Sequence, residues 1–160
     1  MDLRRIRTKL ERSTWLTFGV LGVLLVGCAP ADGAGAHVRR VDEGAICVYA
    51  NDPEVPYTDG PAQTYQPDAP VYVSVTIGCV SACISHEQAS CTVTLDGDQL
   101  EISSVHEYDE PDPDQGCIAL CAALSAVCVS EPLAAGDYQL AHGNDAYSFT
   151  VPSTAEHPCL

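Results

Sequence analysis

Positive charge is the scarcest commodity in this chain. Beyond residue 27 there is no lysine, and Arg39 and Arg40 are the only arginines, against 20 aspartates and glutamates. A surface of that sign repels phosphate backbones and anionic headgroups, which argues against nucleic-acid binding and against membrane attachment through a basic patch. Catalytic signatures are equally sparse. The sequence has no Walker loop, no H-E-x-x-H, no G-x-S-x-G and no C-x-x-C, and Gly33-Ala34-Gly35 lies in a small-residue stretch rather than between a strand and a helix. The expectation is therefore a protein that is not an enzyme. Long apolar runs are missing too: the apolar run from Ser13 to Gly27 is 15 residues, short of the roughly 20 that a membrane-spanning helix needs.

What is present at the N-terminus has a clear order. Arg4, Arg5, Arg7, Lys9 and Arg12 precede the apolar run Trp15 to Val26, the n-region and h-region of an export signal. The run closes on Leu25-Val26-Gly27-Cys28, which resembles the lipobox of bacterial lipoproteins. That resemblance covers residues 1 to about 30. It implies a diacylglyceryl thioether on Cys28, cleavage after Gly27, and acylation of the new amine by a palmitate-like chain. Each buried CH₂ contributes about 0.8 kcal/mol, so two or three chains anchor durably where one does not. Apart from this covalent diacylglycerol, no cofactor is expected. Ala29 stands where an aspartate would imply inner-membrane retention, so the address implied is the cell envelope, the outer membrane before the inner.

Residues 1–27 are thus read as signal peptide, 28–44 as a flexible Gly/Ala-rich tether, and 45–160 as one domain. From Cys28 onward two arginines face 20 carboxylates, a net charge of −18. Eight cysteines remain besides Cys28: Cys47, Cys79, Cys83, Cys91, Cys117, Cys121, Cys128 and Cys159. An even set in an exported chain reads as four disulfides, although eight cysteines allow 105 pairings and spacing does not choose among them. Cys79-x₃-Cys83 and Cys117-x₃-Cys121, near His86, are spaced more loosely than typical zinc ligands, and oxidised pairing is the expected state.

The apolar pattern is that of short strands. Ile46 to Tyr49 is a strand candidate, and Asn51 to Pro70, with five prolines, is mainly loop. Pro70 to Ile77 alternates, with the odd positions expected to face a core. Cys91–Leu95 and Gln99–Ser103 flank Asp96-Gly97-Asp98, and Asp137–Leu140 and Tyr147–Val151 flank Gly143-Asn144-Asp145: two hairpins. Pro152 is expected to end the last strand. Gly78-Cys79-Val80-x-x-Cys83 echoes Gly116-Cys117-Ile118-x-x-Cys121, and Gly97-Asp98-Gln99-Leu100 parallels Gly136-Asp137-Tyr138-Gln139-Leu140, suggesting one duplicated unit. Cys117 to Val127 reads as a helical turn leading into a strand at Val127–Ser130. The fold class expected is all-β, a disulfide-stapled antiparallel β-sandwich with at most one or two helical turns. The ending Leu133-x-x-Gly136-x-Tyr138-x-Leu140 through Phe149-x-Val151-Pro152 resembles the final hairpin of immunoglobulin-like modules.

Candidate chemistry is limited to a few places. Glu107, Asp109, Glu110, Asp112 and Asp114 supply oxygen ligands of the kind Ca²⁺ takes, but two prolines restrict their convergence, and a solvated acidic loop without metal is expected. His37, His86, His106, His142 and His157 are scattered and read as surface residues. Tyr57 and Tyr65, in the long loop, could form a recognition surface. Together these features point to a lipid-anchored envelope lipoprotein whose β-domain binds an envelope protein or glycan, or serves a structural role. The alternative is calcium binding, or secreted enzyme chemistry, at residues 107–114.

Overall fold

Valine, isoleucine and threonine dominate the segment from Tyr72 to Ile77, and side chains branched at Cβ suit a pleated, half-buried surface better than a helix. The computed structural model describes residues 35–54, 56, 61–114, 116–117 and 120–159. Ten strands run through them: β1 His37–Val41, β2 Ala45–Tyr49, β3 Gln63–Tyr65, β4 Tyr72–Ser81, β5 Ser85–Asp96, β6 Gln99–Asp109, β7 Cys121–Val129, β8 Gly136–His142, β9 Asp145–Val151 and β10 Ser153–Ala155. No helix of the described residues is long and apolar enough to cross a membrane.

The strands form a sandwich. In one sheet β6 is the hub. β5 pairs with its whole length antiparallel, β8 lies parallel to Gln99–Ile102, and β1 lies antiparallel to Val105–Asp109; β9 pairs with β8. The second sheet is antiparallel in the order β2-β4-β7, and β3 and β10 form a separate two-stranded ribbon. Both expected hairpins are present, each with a two-residue loop whose first residue is glycine at positive φ, 65° for Gly97 and 57° for Gly143. Glycine takes that backbone conformation without the Cβ clash other residues meet.

Between the sheets, Ile46, Val48, Val71, Val73 and Val75 meet Leu100, Ile102, Tyr138, Leu140 and Val151 in the main core. The odd positions from Val71 to Ile77 are buried as expected. Ser74 and Thr76 are buried as well, since Cys47 and Val127 flank Ser74 across the ladder and the Thr76 and Ser125 hydroxyls hydrogen-bond at 2.7 Å. Tyr138 sends its hydroxyl back to the Ala134 carbonyl, 3.0 Å away, the tyrosine corner typical of immunoglobulin-like sandwiches.

All eight cysteines of the domain are paired: Cys47–Cys159, Cys79–Cys121, Cys83–Cys117 and Cys91–Cys128. Cys91–Cys128 joins β5 of one sheet to β7 of the other, and Cys47–Cys159 draws the C-terminal segment onto β2, where the Val48 amide donates to the Pro158 carbonyl.

Several expectations are corrected. The tether read over 28–44 is too long, because His37–Val41 is strand β1, held by the second half of β6. The helical turn expected after Cys117 is absent among the described residues: Cys121–Val129 is one strand, its alanines and leucine drawn into the ladder with β4. Tertiary pairing there overrides helix propensity. Glu107 and Asp109 belong to β6 and not to a loop. A short β10 follows Pro152. The cysteine echo is not a duplicated unit, since Gly78-Cys79 interrupts the ladder late in β4 while Gly116-Cys117 precedes β7. The other echo has a physical counterpart, because Gln99 and Leu100 lie directly beside Gln139 and Leu140 in the parallel β6–β8 pair.

Candidate functional site

The inward stripe of β6 reads Leu100, Ile102, Ser104, His106, Tyr108, and its change of character divides the sandwich. Leu100 and Ile102 belong to the main core. Ser104 and His106 form a polar belt, and Tyr108 joins Ile77 and Val80 in a smaller apolar cluster, with Val38, Ile84, Ala122 and Leu124 packed against it. Over this smaller cluster the two sheets leave an open cleft of about 580 Å³.

Apolar and charged residues both line the cleft. Ile77, Val80, Ile84 and Pro111 line it together with the Tyr108 ring. Arg40 projects from β1, donating from Nη1 to Glu43 at 2.9 Å and from Nε to the Tyr108 hydroxyl at 3.4 Å. Hydrogen bonds to Tyr108 and then Glu43 hold the guanidinium still more firmly in its charged form. Glu110 is exposed at the cleft and pinned at its backbone, where its amide donates to the Ala36 carbonyl. Two bridges, Cys79–Cys121 and Cys83–Cys117, fasten the turn after β4 to the approach to β7. Cys79, itself a lining residue, sits at φ 56° where the β4–β7 register shifts. A bulge of this kind bends a strand and re-aims its side chains.

The acidic candidates do not come together. Glu107 accepts from Arg39 Nε at 2.7 Å, and Asp109 takes a histidine on each oxygen, His37 Nδ1 and His86 Nδ1, both at 2.8 Å. Those two hydrogen bonds, His37 first, hold the Asp109 carboxyl below its usual range. Asp112 accepts from the Asp114 amide at 2.9 Å in a local turn, and Glu110 lines the cleft. Among the described residues no group of three or more His, Cys, Asp or Glu side chains is placed to hold a metal ion.

Two histidines expected at the surface are buried instead. His106 is fully enclosed, with Nε2 3.2 Å from the Val75 carbonyl of the opposite sheet and Nδ1 without a hydrogen-bond partner. His142 Nε2 and Ser104 Oγ share a hydrogen bond of 3.0 Å, while the Ser104 amide donates to Asp42 Oδ1 at 2.8 Å. Burial lowers the pKa of both imidazoles below 6.5. The Ser104, His142 and Asp42 set has residues of a hydrolytic triad, yet Ser104 is 1% and His142 4% exposed, so no substrate reaches the hydroxyl. It satisfies buried polar groups rather than attacking anything. Alternation was the signal that could have found these two imidazoles, on β6 for His106 and on β8, where Tyr138, Leu140 and His142 share the buried phase, for His142.

Tyr65 is also buried, against the expectation of a recognition surface. Its hydroxyl donates to the Val48 carbonyl at 3.0 Å, its ring lies 5.6 Å from Phe149, and burial pushes its pKa up to about 12. Tyr57 and Cys28 lie outside the described residues. A lesser apolar surface occurs on the outer face of β4 and β7, where Tyr72 lies beside the exposed Val127 and Val129. No protein-family model, curated protein or solved structure matches this chain.

Proposed function

We propose that the protein is a lipid-anchored lipoprotein of the bacterial cell envelope whose sandwich is a non-enzymatic binding module, with the cleft over Tyr108 as its binding surface. One observation carries this reading: eight of the nine cysteines are consumed in four bridges within the domain, and the ninth is Cys28, at the lipobox position. Bridges throughout a domain suit an oxidising compartment, and a lone cysteine after an apolar leader suits lipidation. The binding role is supported by the cleft, a concave and mainly polar surface on which Arg40, Glu43 and Glu110 stand beside Ile84 and Pro111. The sealing of the Ser104 and His142 pair weighs against the enzymatic alternative.

Intact mass of the membrane fraction tests the anchor. The expected species lacks residues 1–27 and carries a diacylglyceryl group with or without an amide-linked acyl chain, and a Cys28→Ser variant is not lipidated. Retention of Met1, or a Cys28 found unmodified, overturns the anchored reading.

A further inference from the structure

We propose that the cleft over Tyr108 receives a basic-apolar peptide segment of a cationic partner protein, a lysine or arginine flanked by aliphatic side chains. This inference rests on the binding-module reading and deepens it. Charge chooses the sign of the partner. Both arginines of the domain are already matched by its own carboxylates, Arg39 by Glu107 and Arg40 by Glu43, so no strongly basic side chain is left to offset the others. The cleft wall repeats that imbalance, with one shared guanidinium against Glu43 and the exposed Glu110. An anionic ligand would compete with Glu43 for Arg40 inside the field of a domain carrying −18, whereas a cation is drawn in by the field and finds Glu110 at the cleft.

The floor chooses the rest of the ligand. Ile84 and Pro111, each half-buried at the cleft, stand beside the buried Ile77, Val80 and Tyr108, and covering those two removes apolar surface from water, which simple ion pairing at a rim does not do. The partner segment therefore needs both features in adjacent residues.

Gly78 makes the site testable without disturbing the fold. It lines the cleft, and a Cβ built there meets no atom within 4 Å, so Gly78→Trp adds bulk at the cleft without a clash at Cβ and without adding charge. The experiment is calorimetric titration of the full chain, embedded in phosphatidylcholine nanodiscs, with a peptide alternating lysine and leucine, referenced to empty nanodiscs. Gly78→Trp and Glu110→Arg should each weaken binding about tenfold or more, roughly 1.4 kcal/mol, with thermal unfolding unchanged. Glu131→Arg, an equal charge change at an exposed site outside the cleft, should weaken it less than about threefold. Replacing the peptide's leucines by serine, or its lysines by glutamate, should also cost at least about tenfold. Absence of binding above empty nanodiscs, indifference to Gly78→Trp, or equal losses in the Glu110→Arg and Glu131→Arg variants overturns the proposal. The lipidation experiment is untouched by those results, so a failed cleft and a failed anchor are told apart.

Discussion

The two ends of this sandwich solve the same problem by different means. At one end Leu100, Ile102, Leu133, Leu140 and four residues of β2 and β4 fill the space between the sheets, and Cys91–Cys128 crosses within that packing. At the other, Ile77, Val80 and Tyr108 form a core too small to close the sheets, and a cleft remains. There the bridges Cys79–Cys121 and Cys83–Cys117 tie the same two segments together. The main core carries Cys91–Cys128 and, on β2, Cys47–Cys159, whereas beside the open cleft two bridges close nearly the same loop and supply order that the small core does not. The polar belt of Ser104, His106 and His142 marks the border.

Removing covalent ties should separate the two ends most strongly. Cys47–Cys159 spans 112 residues, and replacing both by alanine should cost about 2–5 kcal/mol in denaturant unfolding. Replacing Cys83 and Cys117, with Cys79–Cys121 still closing nearly the same loop, should cost less than about 2 kcal/mol. Equal costs would break the comparison. Access sharpens it further: Cys79 and Cys121 are exposed whereas Cys47 is fully buried, so alkylation mapping after mild reduction should find the first pair open while the second persists.

Packing comes next. Leu140→Ala, in the main core, should destabilise by about 2–5 kcal/mol. Val80→Ala, beside the cleft, should cost about 1–2 kcal/mol, since fewer methyl groups are lost where neighbours already border open space.

The belt titrates. His106 and His142 are held neutral in the fold, with pKa values depressed below the unfolded 6.5, so the unfolded chain binds the extra protons as pH falls. Stability is fully present above pH 6.5 and is lost as pH drops through the folded values. His106→Gln should flatten that decline, measured as the unfolding midpoint between pH 7 and pH 5. A slope identical to that of the parent would remove His106 from the account. The smallest effect expected is at the tyrosine corner, where Tyr138→Phe deletes one hydrogen bond and should cost about 1 kcal/mol.

Much of the architecture was legible because it rests on local chemistry. The alternation from Val71 to Ile77 marked the first part of β4, which continues to Ser81, and glycine at the turns marked both hairpins. The even cysteine count announced four bridges, though not their partners, because pairing depends on which strands become neighbours. Arg39 and Arg40 looked like part of a tether, since a strand as short as β1 shows little periodicity; β6 made it a strand. Alanines and leucine between Cys121 and Val129 favoured helix until β4 claimed them. Histidine is ambiguous by nature, polar enough for the surface and neutral enough for a core, so only the inward phase of β6 decided the place of His106.

By itself the sequence determined the two hairpins, the core-facing alternation from Val71 to Ile77, the acidic surface and the supply of cysteines, all of which depend on neighbours within a few residues or on composition. The tertiary structure alone decided which cysteines meet, that the polar residues of β6 lie inside, and that Arg40, Tyr108 and Glu110 share a cleft with Ile77 and Val80. Those are contacts between strands distant in sequence, fixed by register and sheet packing, and no local pattern encodes them.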